Sequence, residues 1–101
     1  MQWMECIRLR TSQEGALEMF RALKRQIASI RGAAGLNRVS VLTHAEYPGD
    51  LAVLMLWEND REPVKSREGI ALAEIMRQRG LIEHAVWRVA SSVAATKGRR
   101  P

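Results

Sequence analysis

The chain has 101 residues, 47% hydrophobic and 27% charged. That is the size and balance of one globular domain, which excludes a disordered chain, a collagen-like repeat and a disulfide scaffold. Lys and Arg exceed Asp and Glu by five, but Lys97, Arg99 and Arg100 supply three of those charges, so the body carries only +2 and a nucleic-acid partner is not expected.

Residues 3–10 (WMECIRLR) read as a strand, with Trp3, Ile7 and Leu9 on one parity and Met4, Cys6, Arg8 and Arg10 on the other. Glu5 breaks the alternation by sitting among the apolar set. Thr11 and Glu14 have the spacing of a capping box. A helix follows to about Arg31, with Ala16, Phe20, Leu23, Ile27 and Ile30 forming one apolar stripe that Leu17 and Met19 widen. Gly32 is the expected left-handed C-cap. Residues 38–44 (RVSVLTH) form a second strand and residues 51–58 (LAVLMLWE) a third, joined by a turn at Tyr47-Pro48-Gly49-Asp50.

A second helix is expected to start between Asp60 and Ser66, with Pro63 and Ser66 as entry residues, and to end near Arg79 with Gly80 as its cap. Its apolar side is Ile70, Leu72, Ile75 and Met76. Residues 82–93 (IEHAVWRVASSV) read as the last strand. The domain therefore spans residues 1–93, and residues 94–101 are a basic tail, expected to be disordered.

No stretch is long enough to cross a membrane: residues 51–57 are the longest uncharged apolar run, against the roughly 20 residues a spanning helix needs. Glu5, Arg8 and Arg10 interrupt the place where a secretory core would lie, so the cytoplasm is the default compartment. Cys6, the single cysteine, has no internal partner and reads as a small buried apolar group.

The order β-α-β-β-α-β predicts a ferredoxin-like α+β domain. Two right-handed crossovers give an antiparallel sheet of order 4-1-3-2 with both helices on one face. The third strand then becomes informative. Leu51, Val53, Met55 and Trp57 point one way and Ala52, Leu54 and Leu56 the other, so both faces are apolar. A sheet with one wet face would alternate with polar residues. By parity, Met4, Cys6, Leu42, Val86 and Ala90 join the second face. The expected cover is a second copy of the chain, giving a homodimer.

This order, the length and the strand end Leu56-Trp57-Glu58-Asn59 before a helix resemble the dimeric α/β-barrel superfamily, and within it the antibiotic biosynthesis monooxygenase-like domains. The resemblance covers roughly residues 3–93. It implies paired sheets forming a barrel around a cavity. It also implies oxygenase-like chemistry without a cofactor on a small hydrophobic, aromatic or quinone-like metabolite. The haem-degrading branch places an Asn on the first strand and a Trp and a His on the second helix. None of these is found here. The cofactor-independent oxidases lean on Asn, Trp and Tyr; Asn59 and Trp57 are present, but Tyr47, the single tyrosine, lies in a turn.

Arg8, Glu58, Arg88 and His84 are the best polar set, all placed on the second face by parity. They fit a cavity in which Arg8, Glu58 and Arg88 bind an acidic or phenolic ligand and His84 is the catalytic base. They fit better a structural ion-pair and hydrogen-bond network at a dimer interface. A non-catalytic ligand-binding or sensing module, or a dry structural dimer, is the alternative to an enzyme. His44 reads as a solvated strand end. His44 and His84 are too far apart in sequence to suggest a metal site, and none is expected. Trp3, Trp57 and Trp87 share a parity and read as core and interface packing.

Overall fold

The structure, a computed structural model, describes residues 1–96. It contains β1 (Gln2–Arg10), α1 (Gln13–Ile30), β2 (Leu36–Thr43), β3 (Asp50–Glu58), α2 (Arg67–Arg77) and β4 (Leu81–Arg88). The strands form one antiparallel sheet of order β2-β3-β1-β4, the expected order read from its other edge. Helix α1 lies over β2 and β3, and α2 lies over β1 and β4.

The core sits between the helices and one face of the two central strands. Ile7 and Leu9 of β1 and Leu51, Val53 and Met55 of β3 are buried there, with Met19 and Leu23 of α1 and Leu72, Ala73 and Met76 of α2. At about 25 cal/mol per Å² of apolar surface, this layer supplies most of the force that closes the fold. The helix faces shift from the expected stripes. On α1, Leu17 is exposed; on α2, Ile70 is exposed while Gly69 and Ala73 are buried, because α2 comes close to the sheet through its small residues.

The local punctuation also differs. Ser12, not Thr11, caps α1, accepting from the Gly15 N–H at 3.0 Å. Thr11 instead donates its hydroxyl to the Arg79 carbonyl at 2.6 Å, tying the end of β1 to the end of α2. Neither Gly32 nor Gly80 is left-handed. Among the described residues Gly35 alone has positive φ, +85°, where the chain turns into β2. β2 starts two residues early and contains an irregularity between Leu36 and Arg38. β4 ends at Arg88 rather than near residue 93. Arg88 is already opposite Trp3, and β1 has almost no chain left to pair beyond it. Residues 89–96 have no helix or strand, and the rest of the expected basic tail lies outside the described residues.

The second sheet face has no cover within the described chain. Met4, Cys6, Leu54 and Leu56 lie there half-buried, flanked by exposed Leu42, Leu81 and Trp87. The register corrects the expected composition of this face. Ile7 is opposite His84 and Trp3 opposite Arg88, so His84, Val86 and Arg88 share the helix side. Trp87 is opposite Met4 and belongs to the open face, away from Trp3 and Trp57.

Candidate functional site

The inward Glu5 is the starting point. It is a carboxylate with no exposure, on a central strand among apolar neighbours. A charge in that position is tolerated only when it is fully hydrogen-bonded. Glu5 has four partners. Its Oε1 accepts from Trp57 Nε1 at 3.1 Å and from the Ser66 hydroxyl at 2.7 Å. Its Oε2 accepts from the Ser66 N–H at 3.0 Å and lies 2.6 Å from His84 Nε2.

Ser66 is also the N-cap of α2, where its Oγ accepts from the Gly69 N–H at 2.8 Å. The Glu5 carboxylate therefore sits at the positive end of α2, the favourable end for an anion. Gly69 makes this approach possible. A Cβ there would lie 1.9 Å from Glu5 Oε2, so any side chain would displace the carboxylate. β1, β3, the start of α2 and β4 thus converge on one carboxylate.

Beside this network lies a cleft of about 350 Å³, between the end of the sheet and the loop leading into α2. That is large enough for a small ring system. Trp3 and Trp57 form part of its wall. They are opposite each other on β1 and β3, and their rings stack with centroids 5.4 Å apart and planes at 13°. Both indole N–H groups are engaged: Trp57 donates to Glu5, and Trp3 donates to Asn59 Oδ1 at 3.0 Å. Asn59 Oδ1 also accepts from the Arg61 N–H at 3.0 Å, fixing the turn that carries the cleft's rim. Ala33, Ala34 and Val64 add apolar wall, and Arg61, Lys65 and Arg67 line the mouth.

The four residues singled out from the sequence do not meet. Arg8 is opposite Ala52, and Glu58 is opposite Gln2, at the other end of the same strand pair. Six residues of strand separate them, about 20 Å at the usual rise. Arg8 bonds Asp50 at 3.3 Å, and Glu58 accepts from the Gln2 amide at 3.3 Å. Arg88 pairs with Glu62. His84 faces the helices and is buried against Glu5, so it is not a base in an open-face cavity.

Asp50 is the other buried carboxylate. It holds Arg8 and Arg10, both at 3.3 Å. Burial alone would raise its pKa, but the hydrogen bonds and charges of the two guanidiniums outweigh that and hold it below the usual value. Among the described residues no group of three His, Cys, Asp or Glu side chains could hold a metal ion, and no helix is long and apolar enough to cross a membrane.

No family model matches the sequence, and no curated protein is a detectable sequence relative. Solved structures do match. A Deinococcus radiodurans protein, provisionally described as an antibiotic biosynthesis monooxygenase, superposes with a TM-score of 0.72 at 12% identity, over 94% of this chain and 99% of its own. The fold is antibiotic biosynthesis monooxygenase-like. SnoaB, a cofactor-independent oxygenase from Streptomyces nogalater solved as an asparagine-to-alanine variant, matches this monooxygenase-like fold with a TM-score of 0.70 at 12% identity, over 93% and 98% of the two chains. A conserved Methanosarcina mazei protein matches at 0.68 and 15%, over 86% and 91%. At such identities the likeness fixes the monooxygenase-like architecture, and the chemistry has to be argued from the residues.

Glu5 and Ser66 were absent from the sequence-derived site. The signal was visible: a carboxylate on the apolar parity of a strand needs a donor set, and Ser66 was already a helix-entry residue. The missing piece was the phase of β4, which decides that His84 points at Glu5.

Proposed function

We propose that the protein is a homodimer that acts as a cofactor-independent oxygenase on a small aromatic or quinone-like metabolite held in the Trp3–Trp57 cleft. The cleft carries this reading. It sets the small exposed parts of the stacked Trp3 and Trp57, 3% and 5% of each residue, beside polar groups at its mouth, and its size suits two or three fused rings. The likeness to the fold of SnoaB supports oxygenase chemistry. The uncovered face supports the homodimer: Leu54 and Leu56, with exposed Trp87 beside them, form an apolar surface that a second sheet would cover.

Anthrone and its hydroxylated derivatives are the test substrates. In air, the methylene of anthrone becomes a carbonyl. One atom of dioxygen enters the product, and the other leaves as water with the two methylene hydrogens. Oxygen consumption that depends on protein and is lost in Trp57→Ala is the expected result.

A second reading, a non-catalytic ligand-binding module, is favoured by the cleft lining, which among the described residues contains no His, Tyr or Cys. Tight binding of the same compounds without oxygen uptake would select it. Absence of both would dismiss the cleft as a ligand site.

A further inference from the structure

The polar groups of the cleft are unevenly matched. The indole N–H groups of Trp3 and Trp57 are spent on Asn59 and Glu5. The Ser66 hydroxyl donates to Glu5 and accepts from Gly69. Asn59 Oδ1 already accepts two hydrogen bonds, so its amide nitrogen is the end left to offer. At the mouth, Arg61, Lys65 and Arg67 have no carboxylate partner among the described residues.

Two acids share the lining, Glu62 and Glu68. Glu62 is engaged by Arg88 from β4, a residue outside the lining. Among the described residues of the lining, Glu68, in the first turn of α2, is then the one unpaired carboxylate against three unpaired cations. The groups left to meet a ligand are therefore mostly donors, and their net charge is positive.

Resting on the reading of the cleft as an aromatic-ligand site, we propose that it takes its ligand as an anion: an aromatic phenolate, enolate or carboxylate. The ring lies in the cleft beside the largely buried Trp3–Trp57 pair, and the charge is met by Arg61, Lys65 and Arg67. Arg88 is a positioning residue in this scheme, because it offsets the charge of Glu62, which lines the cleft. A site that prefers the ionised form lowers the pKa of a bound weak acid, and a tenfold preference corresponds to one pH unit. The proton goes to bulk water, so no base in the cleft is required.

The test uses the full chain with 4-nitrophenol, whose phenolate is yellow, and 4-nitroanisole, its neutral methyl ether. Quenching of tryptophan emission reports binding of either, and absorbance reports ionisation of the phenol. The ether should bind with no salt dependence. The phenol's apparent ionisation midpoint should fall by about one unit when bound, a tenfold preference, and the shift should shrink as salt screens the mouth.

Joint replacement Arg61→Gln, Lys65→Gln and Arg67→Gln changes exposed side chains only and should abolish the shift while leaving ether binding intact. Arg88→Met should reduce the shift by about half, again with ether binding intact. A bound phenol with an unshifted midpoint would overturn the anion assignment and leave the aromatic cleft standing. So would a shift that survives the triple replacement. If neither compound quenches tryptophan emission, both the assignment and the cleft reading fail.

Discussion

The two faces of this sheet solve the same problem in opposite ways. On the helix side, the buried groups find their partners inside the chain: apolar residues meet α1 and α2, and Glu5 meets Trp57, Ser66 and His84. On the other side, apolar residues as large as Leu54, Leu56 and Trp87 find nothing within the described chain to cover them. One face is closed within the chain, whereas the other is left open by the described residues. Neighbouring residues on one strand therefore face opposite tests, and substitutions can separate them.

The largest contrast is between Met55 and Leu56, adjacent on β3. Met55 has no exposure, and Met55→Lys should leave no folded protein by circular dichroism, because it buries an unpaired charge. Next in size is Glu5→Ala. It strands the Trp57 and Ser66 donors and the His84 ring, and urea unfolding should show a loss of about 3–5 kcal/mol, the scale for breaking a buried pair. A loss under about 1 kcal/mol would mean that water already reaches the network.

Leu56→Lys should behave differently. If the proposed homodimer forms, sedimentation should report a dimer for the native chain and a monomer for this variant, while the monomer's own melting changes little, by about 0.5 kcal/mol as for surface substitutions. If Leu56→Lys unfolds the chain as thoroughly as Met55→Lys, the two faces are not distinct in the way described.

Asp50 gives a smaller and pH-dependent effect. Its carboxyl is held below the ordinary value, so the stabilisation it gives is complete above the unfolded pKa of about 3.9 and is lost as pH falls through the depressed folded value. Asp50→Asn should thus flatten the acid limb of a thermal-melting profile below about pH 4. An acid limb identical to the native one would remove Asp50 from the account.

The smallest effect concerns Cys6 on the open face. Burial, and then the Glu83 carboxylate, raise its pKa, and Arg8 offsets this only in part. Alkylation at pH 8, followed by mass spectrometry, should be several-fold slower than for a free thiol. Leu56→Lys should accelerate it if a second sheet normally lies over this face.

Much of the fold was legible in the sequence because it rests on long periodic segments. The stripe from Ala16 to Ile27 and the two-sided run from Leu51 to Trp57 determine α1, β3 and the uncovered face. The site was poorly legible because the phase of β4 is ambiguous. Both parities of β4 carry apolar residues, Ile82 and Val86 on one and Ala85 and Trp87 on the other. The sequence therefore leaves its phase open, and pairing with β1 decides it. Once Ile7 is set opposite His84, His84 and Arg88 leave the open face. Arg8 and Glu58 share a face, as expected, but parity says nothing about distance along a strand. Thr11 and Ser12 show the same limit on a smaller scale: adjacent residues with similar capping chemistry, chosen between by Thr11's contact with Arg79, distant in sequence.

Ser66 has a consequence for how the chain reaches this state. α1 is capped by Ser12 through a bond that spans three residues, so its start can form from local chain alone. The start of α2 has a local bond as well, but the Ser66 N–H and hydroxyl are both satisfied by Glu5, 61 residues earlier, on a carboxylate that also needs His84, 79 residues from it. Closing such separations costs chain entropy before the contact rewards it, a cost that a locally bonded helix start does not carry. α1 is therefore expected to be native-like in the folding transition state, and the first turn of α2 to take its final form only after β1 and β4 have paired around it. Kinetically, substitutions at Ser66 or Glu5 should act mainly by accelerating unfolding, and substitutions that weaken α1 should act mainly by slowing folding.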